Sequence, residues 1–124
     1  MDNDNDLQVK KLQDIKEREA EDLAKILSAR YKLPYIDMSA VSINTDALKL
    51  VEESVAKEAK IAGFQMTGKK VSFVILTPNN PKLDTVINDL KERGFVPQLF
   101  MGSERSLERA WERYHEISKA AETK

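Results

Sequence analysis

The segment that most restricts the fold is Val71-Ser72-Phe73-Val74-Ile75-Leu76. It is apolar at nearly every position and rich in β-branched and aromatic residues, and it is too short for a typical helix. A strand without polar alternation needs cover on both faces, so it is expected at the centre of a sheet. Its neighbours define a hairpin. Lys60–Met66 reads as a second strand, with Ile61, Gly63 and Gln65 on one face and Ala62, Phe64 and Met66 on the other. Thr67-Gly68-Lys69 supplies the turn of an antiparallel pair. A strongly marked helix follows. Asn80 is a good N-cap and Pro81 sits at N1, where its missing N–H costs nothing. Asp84 favours the first turn, and Leu83, Val86, Ile87 and Leu90 form one apolar face. Lys91 and Arg93 lie in the last turn, and Gly94 is placed as the C′ residue. Phe95–Met101 is then a strand, and Pro97 argues that it lies at an edge or starts at Gln98. Ser103 caps a final helix with Leu107, Ala110, Trp111 and Tyr114 inward and Ile117 extending the stripe.

Upstream, residues 1–6 are acidic and polar and read as a disordered tail. From Leu7 to about Lys32 there is almost no helix breaker. Leu12, Ile15, Ala20, Leu23, Ile26 and Leu27 recur at three- and four-residue steps among charged residues. The stripe is thin before Ala20 and denser after it. Glu21–Tyr31 is therefore expected to pack firmly, and Leu7–Glu19 to protrude. Leu33-Pro34 stops the helix, because the residue before a proline is pushed out of the helical region. Tyr35-Ile36-Asp37-Met38 is a short extended piece. Asn44-Thr45-Asp46 caps a helix carrying Ala47, Leu48, Leu50 and Val51. A second short helix, Glu52–Lys57, is expected with Val55 and Ala56 inward and a break near Ser54. The fold expected is α+β: a two-layer arrangement of helices on a small three- to four-stranded sheet containing a hairpin, preceded by a long N-terminal helix.

Composition excludes more than it suggests. The chain has 124 residues, one domain's worth. Its 20 Lys+Arg and 21 Asp+Glu nearly cancel, so it has no electrostatic footprint for nucleic acid. No apolar run approaches the roughly 20 residues of a membrane span. The acidic opening is unlike a signal peptide. There is no cysteine, hence no disulfide, thiolate metal site or cysteine nucleophile.

Catalytic chemistry is scarce. His115 is the only histidine, one step off the apolar face of the last helix, and reads as a surface imidazole. Gly68-Lys69-Lys70 resembles the end of a P-loop, and Gly63 stands five residues before Gly68, but Lys70 replaces the Ser or Thr the motif requires and a strand follows instead of a helix. Glu17, Glu19, Glu21 and Asp22 interleave with Lys16 and Arg18, the pattern of a solvated helix face. Trp111 and Tyr114 fit core positions better than a binding platform. Tyr31 and Tyr35 flank the Leu33-Pro34 corner and are expected to close the top of the core, with exposure of one of them in a protein contact as the alternative. No metal, cofactor or catalytic residue is assigned.

The order of the motifs has a family resemblance. Leu23-Ala24-Lys25-Ile26-Leu27-Ser28-Ala29-Arg30-Tyr31-Lys32-Leu33-Pro34-Tyr35-Ile36-Asp37-Met38 resembles the "LA…LGLPYVDL" opening of the amino-terminal domain of type II secretion and type IV pilus assembly ATPases. The short helices from Asp46 resemble its "PEAL.LIPE..A" stretch. Lys60–Leu76 is similar to its hairpin, and Asn80-Pro81 stands where it often has Asp-Pro. Phe95–Tyr114 resembles its ending. The likeness covers Glu21–Tyr114.

That resemblance implies a non-catalytic module that precedes a hexameric ATPase engine and docks it on cytoplasmic or inner-membrane components of the machine. It places the chain in the cytoplasm, peripheral to the inner membrane through a protein partner. Walker motifs are absent from this sequence. Residues 1–20 are assigned to a tail and protruding helix, 21–117 to the α/β domain, and 118–124 to a frayed linker. Leu7, Leu12 and Ile15 are the candidate partner-docking residues. Some related domains bind cyclic di-GMP through paired "RLG..L...G" segments. Here neither Arg18 nor Arg30 sits in Arg-Leu-Gly, and no glycine precedes Gly63. Cyclic di-GMP sensing is thus carried only as the alternative to docking.

Overall fold

A computed structural model of the chain describes residues 2–117, with side chains from Ile15 onward. The expected linker at 118–124 lies outside the described residues. Three strands, β1 (Ile61–Thr67), β2 (Lys70–Ile75) and β3 (Val96–Met101), form one sheet in the order β1-β2-β3. β2 is central. Phe73, Val74 and Ile75 are all fully buried. Successive strand side chains point to opposite faces, so this end of β2 is covered on both. β1 and β2 pair antiparallel around Gly68, and β3 runs parallel to β2 at an edge. That position accommodates Pro97, whose missing N–H would break a central ladder.

β1 departs from strict alternation. Its register shifts between Gly63 and Gln65, leaving Phe64 as an extra residue. Gly63 lies just before this bulge because the Ala47 carbonyl approaches closer than any Cβ would permit. Phe64 meets Phe100 edge-on at 5.6 Å between ring centroids.

Among the described residues the sheet is surrounded by α1 (Asp2–Tyr31), α2 (Thr45–Leu48), α3 (Glu53–Ala59), α4 (Pro81–Glu92) and α5 (Glu104–Glu112), and residues 114–117 are helical again. A short 3-10 turn covers Met38–Ala40. α3 packs with α4, and α1 with α5; α3 and α5 also touch β1, while α1 and α4 touch β3. The α+β class and the small sheet with its hairpin are as expected. Asn80 and Ser103 cap α4 and α5. The break between α2 and α3 falls before Glu53, ahead of Ser54, because Lys49 and Leu50 already leave the helix. Val55, expected inward, is exposed, while Ala56 is buried.

Two helices end in the same six-residue hydrogen-bond pattern with different residues at its left-handed position. In α4, Gly94 (φ 90°) allows the Phe95 N–H to reach the Leu90 carbonyl at 3.0 Å. In α1, Lys32 takes that conformation (φ 58°), and Leu33 N–H reaches the Ser28 carbonyl at 3.0 Å. The helix thus closes one residue before the Leu33-Pro34 pair expected to stop it. Pro34–Ile36 then runs along β3. Met101 N–H donates to the Pro34 carbonyl and Ile36 N–H to the Met101 carbonyl, at 2.8 and 2.9 Å. This covers the end of the β3 edge.

α1 differs most from expectation. Its backbone is helical from Asp2, so the polar opening is its first turn and not a tail. Its packed face carries Ala24, Ser28 and the half-buried Leu27 and Tyr31. Leu23 and Ile26, expected within the packed half, are 55% and 64% exposed. Small residues let the helix axis approach the sheet and α5, and the bulky apolar residues are left on the far side.

Candidate functional site

α1, the Pro34–Ala40 segment and the start of α5 meet at a polar junction. Ser103 caps α5, its Oγ accepting from Ser106 N–H at 3.2 Å. Ser106 Oγ in turn accepts from Met38 N–H at 3.1 Å. Both serines are buried. Glu21 completes the chain: Ser103 Oγ donates to one of its carboxylate oxygens and the Tyr35 hydroxyl to the other. A half-buried carboxylate with two hydroxyl donors fastens α1 to the two segments below it.

The same contacts act on the nearby titratable groups. Burial, then the hydrogen bond to Glu21, pushes the Tyr35 hydroxyl well above its ordinary value. Asp37 is held below the usual carboxylate range by the Ser39 N–H and hydroxyl it accepts, at 3.0 and 2.7 Å. Lys25 Nζ stands 5.4 Å from the centroid of the Tyr35 ring.

Above the junction opens a cleft of about 290 Å³. Arg18, Arg105 and Arg109 line it together with Glu17, Glu21 and Asp37. Arg105 Nε lies 3.7 Å from Glu17. Three cations against three carboxylates leave no net charge to draw in an anion. Glu21 was grouped by sequence with the solvated acids, and that reading fails. The missed signal is its spacing: Glu21 precedes Ala24 by three residues and Ser28 by seven, on the small-residue face that packs. Ser103 was legible only as a cap, and no sequence signal pointed to Ser106.

The aromatic residues of α5 and of the helical stretch just after it belong to the core. Trp111 Nε1 donates to the Ile61 carbonyl at 3.1 Å. The Tyr114 hydroxyl contacts the Leu48 and Val51 carbonyls at 3.1 and 2.8 Å. His115 is exposed beside Lys57, Trp111 and Glu112. Among the described residues no group of His, Cys, Asp and Glu is arranged to hold a metal ion.

The second feature is the outer face of α1. At about 100° per residue, Ile15, Leu23 and Ile26 fall within a sector of about 80°, roughly opposite the buried Ala24. Ile15 is 49% exposed. Of the docking candidates, Ile15 therefore lies on an open apolar face, while the side chains of Leu7 and Leu12 lie outside the described residues. Leu23 and Ile26 join that face, and sequence reasoning had placed them inside. No described helix is long and apolar enough to cross a membrane.

The model of the MshEN domain family matches residues 31–121, well over half of the chain. The chain belongs to the MshEN domain family. The resemblance to the amino-terminal domains of secretion and pilus ATPases therefore holds, and the match is to that domain and not to a catalytic module. Solved structures carry the same fold. One, of MshE with cdg, has a TM-score of 0.66 and 22% identity over 74% of this chain. Another, the N-terminal domain of XpsE, has a TM-score of 0.60 and 14% identity over 78% of this chain. The present chain spans 66% and 65% of those two chains. No curated protein matches it in sequence. The MshEN match begins at Tyr31, the last residue of α1, so most of the helix lies ahead of the matched segment.

Proposed function

We propose that this MshEN domain is a non-catalytic docking module of a type II secretion or type IV pilus assembly ATPase. It links the motor to a cytoplasmic or inner-membrane protein of the machine and itself lies on the cytoplasmic side. The observation that supports this most is the outer face of α1. Ile15, Leu23 and Ile26 are exposed along one side of a helix of 30 residues whose opposite face is already seated. Apolar side chains exposed in this way are unfavourably hydrated, and a partner that covers them lowers the free energy. In this reading residues 1–20 form the projecting arm, 21–117 the α/β domain and 118–124 a linker, and Leu7, Leu12 and Ile15 are the arm's partner-docking residues. The test is co-purification with the purified cytoplasmic part of the machine's inner-membrane component. Leu23→Asp/Ile26→Asp is expected to weaken capture at least about tenfold while leaving the circular dichroism spectrum unchanged. Unchanged capture sinks the assignment of this face.

A second reading is favoured by one observation, that a member of the same fold is known with cdg. Read as cyclic di-GMP, that ligand makes this chain a nucleotide-sensing domain. Within this chain its support is three arginines at the α1–α5 cleft, and three carboxylates offset them. Titration calorimetry with cyclic di-GMP separates the readings; no heat at high micromolar ligand ends this one.

A further inference from the structure

The outer face of α1 is not uniformly apolar, and its charges restrict what fits it. Between Ile15 and Ile26 stand two exposed acids, Glu19 within the same sector of the helix and Asp22 about 20° beyond its edge; beyond Ile26 the exposed Arg30 lies in the sector. Along α1 the face therefore reads apolar, acidic, apolar, basic. Among the described residues neither Glu19 nor Asp22 forms an ion pair, whereas Glu17 on the packed side is paired with Arg105.

We propose that the occupant of this face is an amphipathic helix of a partner protein whose apolar stripe is interrupted by Lys or Arg opposite Glu19 and Asp22, with an acidic residue opposite Arg30. The proposal rests on the docking reading above and adds the chemistry of its partner. Charge complementarity selects this occupant over two others. In a second copy of α1 laid antiparallel, the register that brings Ile15 against Ile26 also brings Glu19 against Asp22. In a parallel copy each acid faces itself. Both arrangements set like charges together inside an apolar seam, which opposes pairing. An anionic lipid surface meets the same central acids and is repelled. A stripe with a central basic residue flanked by apolar ones and an acidic residue at its end satisfies every position at once, and the face from Ile15 to Arg30 is about 24 Å long, or four to five helical turns.

The proposal is tested with the full chain immobilised and a displayed library of helical peptides, apolar along one stripe and randomised at the central and terminal charged positions. The wild-type chain is expected to enrich Lys or Arg over Asp or Glu at the centre by about tenfold. Glu19→Lys/Asp22→Lys is expected to reverse that preference. Enrichment without a central charge preference, or a preference the charge reversal does not move, overturns the partner chemistry. If those peptides are nonetheless lost with Leu23→Asp/Ile26→Asp, the docking face itself survives. If no peptide is enriched, or binding ignores Leu23→Asp/Ile26→Asp, the docking reading falls as well. Sedimentation velocity provides a further arm. A monomer is expected, and a dimer dispersed by Leu23→Asp/Ile26→Asp overturns the proposal in favour of a second copy.

Discussion

Gly63 shows how little room single residues have in this core. It faces the Ala47 backbone, which is fixed because α2 is anchored at both ends: Asn44 N–H donates to the Phe64 carbonyl at 2.8 Å, and Tyr114 holds the Leu48 carbonyl. A methyl group at position 63 cannot be accommodated by moving a flexible side chain. Gly63→Ala is expected to cost about 2–3 kcal/mol of unfolding free energy, read as a lower urea midpoint at unchanged slope. Tyr114 gives a second expectation. Burial, then the nearby Glu53 charge, pushes its hydroxyl well above the ordinary value of 10.0. A group raised in the folded state stabilises fully below its unfolded value, and that stability is lost as pH rises above it. Urea midpoints should therefore fall above about pH 10, and Tyr114→Phe should flatten part of that fall. Sequence spacing identified Trp111 and Tyr114 as core. It could not identify their carbonyl partners, which come from residues 50 or more positions away.

At the scale of elements, α1 and α4 contrast instructively. Both end in the same hydrogen-bonded closure, but α4 uses Gly94 at the left-handed position and α1 uses Lys32. A side chain there costs about 1 kcal/mol or more relative to glycine, partly offset by glycine's greater freedom when unfolded. Lys32→Gly is thus expected to raise stability by up to about 1 kcal/mol, measured by denaturant titration. The α4 boundaries were legible because Asn80, Pro81 and Gly94 act through contacts a few residues apart. The seated face of α1 was not. Hydrophobicity favoured Leu23 and Ile26, whereas close approach to β3 and α5 selected Ala24 and Ser28. The size of the residues that fit against a neighbouring element decided the helix's rotation, and that neighbour lies some 80 residues away in the chain.

At the scale of the whole molecule, one sheet and the junction at Glu21 set where α1 points. Because Glu21 accepts from both Tyr35 and Ser103, the helix is tied at once to the segment following it and to α5. The open strip Ile15–Leu23–Ile26 is then held facing away from the domain, which is the geometry the docking proposal requires. Acid should loosen this corner. Asp37 is depressed by its Ser39 bonds, so its contribution is present above its ordinary value of 3.8 and is lost as pH falls through that range toward its folded value. The sequence by itself determined the order of elements, the central place of β2, the hairpin, the edge position of the proline-bearing strand and the family, because turns, caps and apolar runs act through near neighbours or through composition. Only the tertiary structure decided which face of α1 is buried, that Glu21 is a fastening and not a solvated acid, and that Leu23 and Ile26 stand outside. Those outcomes depend on how closely distant segments can approach, and side-chain size and hydrogen-bond partners settle that only once the sheet has brought them together.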